Sequence, residues 1–372
     1  MLKLKNYIEL NPKEHISKGE IVRQVTMADL EPFSRDIKKC GYVKYKSGTK
    51  FRNGDTLLAR ITPCLENGKT SFVNFLKQNE VAVGSTEFYV LRAIEGKMDP
   101  NYLYYLSISK KFRKSLIKSM TGTSGRQRAT KEAVLDYDSN IPNIDNQKTI
   151  SHKLSLIDDM ISVNNQINDN LLELISSIWE NQSADIHNKI TLKRLAKMII
   201  TGKTPSTKVK ENYGTDIPFV KIPDMRNKVF IDEASQNLSI FGANSQKNKY
   251  IPENSIIVSC IGTPGLVSLI GRTVQTNQQI NSLILDNKYI YCTYLELKSL
   301  KYKIRNLSSG GTTIKNLNKT DFGNIRITVP NKDSQLDRFN RIAKPIFEKI
   351  HVNNIELQNL VKVKEVLLGQ YF

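Results

Sequence analysis

The 372 residues carry 55 Lys and Arg against 36 Asp and Glu, giving a formal charge of +19 and a sequence pI near 9.6. With 39% hydrophobic and 24% charged residues, the chain is too apolar for a disordered polymer and long enough for two or three cored domains. So large a cationic excess favours a polyanionic partner, with nucleic acid ahead of an anionic membrane.

The opening MLKLKNYIEL lacks a continuous apolar core, so no secretory signal is expected. The most apolar run, residues 255–271, is short and broken by Gly262, Pro264 and Gly265, so no membrane span is expected either. Cys40, Cys64, Cys260 and Cys292 form no CxxC pair and stand near no histidine cluster, which predicts reduced cysteines in a cytoplasmic protein.

Residues 1–142 predict a first domain of short strands and helices. Residues 50–63 read as a turn at Gly54-Asp55 followed by a strand through Leu57, Leu58 and Ile61, and residues 87–93 read as another strand. A helix is predicted over 102–120, with Leu103, Leu106, Phe112, Leu116 and Ile117 inward and Lys110, Lys111, Arg113, Lys114 and Lys118 outward. The small-residue turn 121–125 and the basic run 126–131 come next. Backbone amides and hydroxyls of such a loop can approach phosphate, and its arginines can reach phosphate or guanine. The bland alternative is a solvated loop with scattered cations. Pro142 and Asn143 close the domain, with Asp145 as the expected N-cap of a long helix.

That long helix is predicted over residues 143–185. Leu154, Ile157, Ile161, Asn164, Asn168 and Leu171 alternate three and four apart, the spacing of a coiled-coil seam. A polar linker ends it, and residues 186–330 predict a second domain. There Thr204, Ser206, Thr207, Lys208 and Lys210 crowd a loop around Pro205, suited to phosphate or base contact. Residues 251–265 repeat the strand, 289–306 the basic helix and 308–322 the small-residue loop of the first half. Residues 331–372 predict a second long helix, with Ile346, Ile350, Asn353, Leu357 and Leu360 along its seam.

The halves are copies. Gly122, Lys131, Val134, Pro142, Asn143, Asp145 and Gln147 recur 188 positions later as Gly310, Lys319, Phe322, Pro330, Asn331, Asp333 and Gln335. Ile161, Val163, Asn164, Asn165, Asn170 and Leu171 recur 189 positions later as Ile350, Val352, Asn353, Asn354, Asn359 and Leu360. Such an offset, about half the chain, is that of a tandem duplication. Each helix of about 35 residues would span about 50 Å at 1.5 Å per residue, a rod that measures out distance. Asn164, Asn168 and Asn353 interrupt the seam, either as tolerated solvated positions or as a polar layer that fixes register.

Several catalytic motifs fail. ENGKTS and TGKTPS lack the first glycine of a P-loop, and neither GxGxxG after a strand nor HExxH occurs. Of the four histidines, His152 and His351 are expected on exposed faces of the long helices. Asp286 with Glu296 and Lys298 resembles a D…ExK metal-dependent nuclease site. The helical pattern there turns Glu296 and Lys298 to different faces, which argues against catalysis, and no metal site is expected.

In this order, doubled and at this spacing, the segments resemble the specificity subunit of type I restriction–modification systems. The resemblance covers essentially the whole chain. It is carried by TGKTPSTK…YGTDIPFVKIPDM, the GDTLLARI and SIIVSCIG strands, SSGGTTIKNL, the start NPKEHISKGEIVRQVTMADL, and the VNN helices with LLGQYF. It implies an α+β chain: two pseudo-symmetric α/β target recognition domains separated by two long antiparallel coiled-coil helices. Each domain would read one half of a bipartite double-stranded DNA target. The helices would set the spacing and dock two methyltransferase (modification) subunits, which endonuclease/translocase (restriction) subunits join. S-adenosylmethionine, ATP and magnesium would belong to those partners, with no cofactor and no catalysis in this chain. The expected DNA contacts are Arg60, Lys69, Arg126, Arg128 and Lys131 in the first domain. In the second they are Thr204, Ser206, Lys208, Lys221, Thr312, Thr313, Lys315 and Lys319. The competing readings are a stand-alone sequence-specific DNA-binding regulator, the metal-dependent nuclease, and a coiled-coil scaffold with incidental charge.

Overall fold

The computed structural model describes residues 2–123, 125–307 and 317–372. The chain divides into two compact units, Met1–Val163 with Asn359–Phe372, and Asn164–Gln358.

The first unit contains β1 (Leu2–Lys3), β2 (Ile8–Leu10), β3 (Ile21–Val25), β4 (Gly41–Lys44), β5 (Thr49–Phe51), β6 (Thr56–Ala59), β7 (Thr70–Phe72), β8 (Ala82–Gly84), β9 (Phe88–Ala93) and β10 (Asp138–Ser139), with α1 (Pro100–Ile108), α2 (Lys110–Lys118) and α3 (Lys131–Leu135). Two four-stranded sheets form, in the orders β2-β9-β6-β7 and β4-β3-β8-β5. Strand β6 is buried throughout, and its alternation decides the layers. Leu58 packs with Leu91 against Tyr102, Leu103 and Phe112 of the helices, whereas Leu57 packs with Val90 against Val25, Phe51 and Ala82 of the other sheet. The first sheet is thus covered by helices on one face and by the second sheet on the other. The helix expected over 102–120 is broken in two, because Ser109 is extended (φ −63, ψ 148) and its hydroxyl accepts the Phe112 amide to cap α2.

Helix α4 (Ile144–Ser183) leads into the second unit, which contains β11 (Lys189–Thr191), β12 (Met198–Thr201), β13 (Tyr213–Gly214), β14 (Ile217–Val220), β15 (Phe230–Ile231), β16 (Asn237–Leu238), β17 (Ile256–Ser259), β18 (Val267–Ile270), β19 (Gln275–Thr276), β20 (Ile280–Ile284) and β21 (Arg326–Thr328). Its helices are α5 (Leu192–Leu195), α6 (Ile240–Asn244), α7 (Ile290–Ser299), α8 (Lys301–Leu307), α9 (Lys319–Gly323) and the start of α10 (Asp333–Tyr371). The layering recurs: Ile256 and Val258 of β17 face Cys292 and Leu295 of α7, and Ile257 faces Val220, Ile270 and Val274.

The repeat is visible in the backbone. Leu2 and Lys3 pair with Ser139 and Asp138, and Ile190 and Thr191 pair with Ile327 and Arg326, each residue 188 positions on. The Leu4 amide donates to Tyr137 and the Leu192 amide to Ile325 in the same way.

Both long helices contribute to both units, and within each unit they run antiparallel. In the first, Leu154 shares a cluster with Leu367 and Leu368, and Lys364 Nζ lies 2.6 Å from Asp158 Oδ1. In the second, the Trp179 and Phe339 rings are 4.8 Å apart, and Asn353 Nδ2 donates to Asn168 Oδ1 at 2.9 Å. That bond makes the two asparagines the polar layer that the sequence left open. Leu154, Ile350 and Asn353 are buried, and Ile157, Ile161, Asn164, Leu171, Ile346, Leu357 and Leu360 are half-buried. Ile175, Trp179 and Phe347 are more deeply buried than Ile178 and Ile346, because these helices also cover the domain core and need a broader apolar stripe. The N-cap of α4 is Asn143 and not Asp145: Asn143 Oδ1 accepts the Asn146 amide at 2.9 Å, and Asp145 sits in the first turn. Among the described residues no helix is long and apolar enough to cross a membrane.

Candidate nucleic-acid interface

In the first unit the polypeptide leaves β6 into a corner built from three segments. The Arg60 amide donates to the Glu87 carbonyl at 3.0 Å, and the Ala129 amide donates to the Arg60 carbonyl at 2.8 Å. This backbone lacing joins the end of β6 to the turn before β9 and to the basic loop. It brings Arg60 and Arg128, 68 residues apart in sequence, onto one carboxylate. Arg128 Nη2 lies 2.6 Å from Glu87 Oε1 and its Nε 2.9 Å from Oε2, while Arg60 Nε is 3.2 Å from Oε2. The Arg128 guanidinium, and then that of Arg60, hold the Glu87 carboxyl below its usual range. Arg60 also sits over the Tyr89 ring at 5.3 Å.

Two more expected contacts lie nearby in chain or in space. Lys69, whose carbonyl accepts the Ala59 amide, directs its ammonium onto the Met27 carbonyl at 2.6 Å. Arg126 is exposed on the same loop as Arg128. Lys131 begins α3 and is exposed, but among the described residues nothing joins its side chain to the corner. Arg113 and Phe33 complete this face: the guanidinium lies 4.8 Å from the exposed ring, and Phe33 holds a left-handed backbone at φ +59. A bulky side chain seldom accepts that conformation.

The second unit builds the same corner from other side chains. The Cys260 amide donates to the Gln279 carbonyl at 2.8 Å, and the Leu317 amide to the Cys260 carbonyl at 2.9 Å. Upstream, Phe219 and Val220 pair in parallel with Gln275 and Thr276, as Gln24 and Val25 pair with Val83 and Gly84. Asp224 accepts the Lys221 amide as Asp29 accepts that of Thr26. Cys260 and Gln279 therefore match Arg60 and Glu87, and an amide replaces the carboxylate. Burial pushes the Cys260 thiol up to about 12, so it is a neutral packing group.

Around this corner the structure gathers two expected contacts. Thr204 Oγ1 is 2.6 Å from Gln278 Oε1, and Lys221 Nζ is 2.6 Å from Gln236 Oε1. The loop carrying Thr204 is strapped down, since Tyr213 donates to the Pro205 carbonyl and Asn212 to that of Ser206. Gly202 is required there, as a Cβ would meet the Asn277 and Thr276 carbonyl oxygens at 2.1 and 2.3 Å. Ser206, Lys208 and Lys319 are exposed. Thr312, Thr313 and Lys315 lie outside the described residues. Sequence reasoning missed Glu87, Gln278 and Gln279. The amide-rich run TNQQ at 276–279, set before a strand, was the available signal for the last two.

The nuclease candidate dissolves into structure. Glu296 Oε1 accepts the Trp179 indole at 2.9 Å and Oε2 the Thr328 amide at 2.8 Å, tying α4 and β21 to α7. Asp286 is engaged by Lys197 instead. His351 is not on an open face. Its Nε2 lies 2.6 Å from Asp232 and its ring stacks on Phe230 at 4.3 Å. Among the described residues no cluster of His, Cys, Asp and Glu has metal-site geometry.

The family model described as "Type I restriction modification DNA specificity domain" matches the chain twice, over residues 5–173 and 187–361. The type I restriction enzyme HindI specificity subunit of Haemophilus influenzae is 31% identical over 399 residues, which cover 85% of each chain. The MjaIX specificity subunit of Methanocaldococcus jannaschii is 25% identical, covering 72% of this chain and 67% of that one. Among solved structures, the S subunit of the type I restriction–modification system from M. genitalium aligns with a TM-score of 0.55 at 15% identity. That alignment covers 100% of this chain and 95% of the other, a likeness of fold.

Proposed function

The chain belongs to the type I restriction–modification DNA specificity family, and from that premise we propose that its two units read the two halves of a split double-stranded DNA target. A specificity subunit recognises DNA for its enzyme and is not itself the catalyst. The finer reading is carried by one observation. The two units share backbone lacing at the ends of β6 and β17 but present Arg60 and Glu87 at one corner and Cys260 and Gln279 at the other. Equal frameworks with unequal edges suit two half-sites of different sequence.

The long helices act as the spacer and as the docking surface for two methyltransferase subunits, with endonuclease/translocase subunits joining that core. Exposed apolar side chains support this role. Leu156, Met160 and Val163 in the first unit, and Ile167 and Leu174 in the second, stand three, four or seven apart on α4 and remain open. S-adenosylmethionine, ATP and magnesium are assigned to those partners. The test is co-expression with the neighbouring methyltransferase, followed by methylation mapping. Methylated adenines at a split motif with a fixed spacer, lost when this chain is deleted, are expected. Methylation unchanged without the chain, together with failure to copurify, would move the stand-alone regulator to first place.

A further inference from the structure

Arg128 differs from the other basic residues of the first unit in how its donors are committed. Glu87 takes its Nε and Nη2 edge, and Nη1 donates to the Arg126 carbonyl at 3.3 Å. A guanidinium has five N–H groups, so one remains on each of Nη1 and Nη2. The side chain is still 42% exposed, so these donors are accessible. They are also aimed, because a bidentate carboxylate fixes the plane of the fork. Arg126, by contrast, is exposed, and among the described residues no carboxylate holds it.

Charge separates two uses of such a group. A phosphate brought to Arg128 would also approach the Glu87 carboxylate, 2.6 Å from Nη2, and be repelled by it. A base edge is neutral and meets no such penalty. Guanine presents two acceptors, N7 and O6, in the major groove, matched to two adjacent N–H donors. In the second unit Gln279 stands where Glu87 does, and its side-chain oxygen already accepts from Asn277 at 3.0 Å, leaving a neutral NH2 as the available group. The corner that holds a carboxylate in one repeat holds an amide in the other.

We infer that Arg128, oriented by Glu87 and Arg60, is the guanine-reading residue of the first half-site, and that Gln279, which stands where Glu87 does, presents its amide to a base of the second. Arg128 touches the base, and Glu87 is a positioning residue acting through it. The inference rests on the half-site reading above, and its test must distinguish the two.

The test uses the full chain co-expressed with its methyltransferase partner, with targets mapped for wild type, Arg128→Lys, Glu87→Gln and Gln279→Ala. Arg128→Lys keeps the charge and removes the fork. It is expected to lower the preference for guanine at one position of one half-site by roughly 5- to 150-fold, the range of a bidentate base contact. Spacer and opposite half should stay unchanged. Glu87→Gln should relax that same position, and Gln279→Ala a position in the opposite half only. Melting curves matching wild type establish that each variant is folded, and for a variant that melts early Arg128→Gln replaces it. Uniform weakening of every target with a shallower salt dependence would make Arg128 a phosphate contact and overturn the inference. An unchanged motif at unchanged affinity would reduce the cluster to a surface ion pair and overturn it too. Both outcomes leave the half-site reading standing, since wild type would still require this chain for a split motif. Absence of a split motif in wild type would remove that reading first.

Discussion

Replacing Lys364 by methionine removes one member of a buried ion pair and leaves the other. Lys364 and Asp158 are 7% and 5% exposed, and the 2.6 Å contact between them is supplemented by the Tyr105 hydroxyl, which donates to Asp158 Oδ2 at 2.8 Å. An uncompensated buried carboxylate costs about 3–5 kcal/mol. In a unit of this size each kcal/mol moves the melting temperature by about 2–4 °C, so a fall of about 6–20 °C is expected. The repeat supplies the complementary experiment. Asp158 lies 189 positions before Phe347, and Lys364 lies 189 positions after Ile175. Both counterparts are fully buried and apolar, and Phe347 packs edge-on to Tyr294 at 5.5 Å. Asp158→Phe with Lys364→Ile would write the second unit's solution into the first. Volume-matched apolar replacement of a buried pair is commonly neutral or stabilising by about 1–4 kcal/mol, but phenylalanine is larger than aspartate, and fitting its ring works against that gain. The gain is further reduced because, among the described residues, Tyr105 keeps only Ser155, at 3.4 Å, as a hydrogen-bond partner. Calorimetry, with hydrogen exchange followed over residues 150–160 to assign the transition, measures both. A single variant that loses less than about 1 kcal/mol, or a double variant that falls as far as the single, would refute the reasoning.

Glu296→Ala should destabilise the second unit by about 1–3 kcal/mol, because it orphans the Trp179 indole and the Thr328 amide. The purified chain with magnesium should leave supercoiled DNA intact whether or not Glu296 is present. Asn353→Leu alone strands Asn168 and should lower stability, whereas Asn353→Leu with Asn168→Leu should raise it, read by urea unfolding. Removing seven residues from each long helix shortens each by about 10 Å while keeping the heptad. Methylation mapping should then show a spacer about three base pairs shorter. For Glu87 the folded pKa is depressed, so its contribution is present above the ordinary 4.5 and is lost as pH falls through the lower folded value. Wild type and Glu87→Gln should therefore melt apart near neutrality and converge in acid.

The duplication, the seam and the strands around Leu57 and Ile256 were legible because they depend on periodicity, which survives in sequence. Asn164, Asn168 and Asn353 could be named as interruptions of the seam, but whether they were solvated or a polar layer stayed open until Asn353 was seen to bond Asn168. Helix interruptions were less legible. Ser109 ends α1 because its hydroxyl caps the next helix, and a serine inside a helical pattern gives no sign of which role it takes. The candidate interface was legible by composition and opaque in partnership. Arg60 and Arg128 could be named as basic residues near turns, but their joint hold on Glu87 joins three segments through backbone bonds. Glu87 itself went unnoticed because an acidic residue is not sought in a DNA-binding surface. Yet an anion that fixes an arginine's direction is one way for a side chain to discriminate among bases.

The differences between the repeats bear on how such a chain can change target without losing its fold. Phe33 and Asn227 occupy one structural position, since Arg35 and Val229 accept from Phe72 and Leu269 at matched registers, and the two share φ near +60. Asparagine tolerates that conformation, while phenylalanine is strained by it. The first unit thus holds an exposed ring against Arg113 where the second holds a residue suited to a turn. Glu87 against Gln279 and Asp158 against Phe347 are further cases of unlike chemistry on like backbone. In each, the hydrogen bonds that hold the corner or helix run through main-chain atoms or through a locally complete set of partners. The side chains can then be exchanged as sets. Phe33→Asn tests this directly: it should leave stability within about 1 kcal/mol, because relief of strain offsets lost ring packing. A change confined to DNA binding by the first half would locate the ring at the DNA face. A loss of several kcal/mol would instead show that the strained ring is part of the fold.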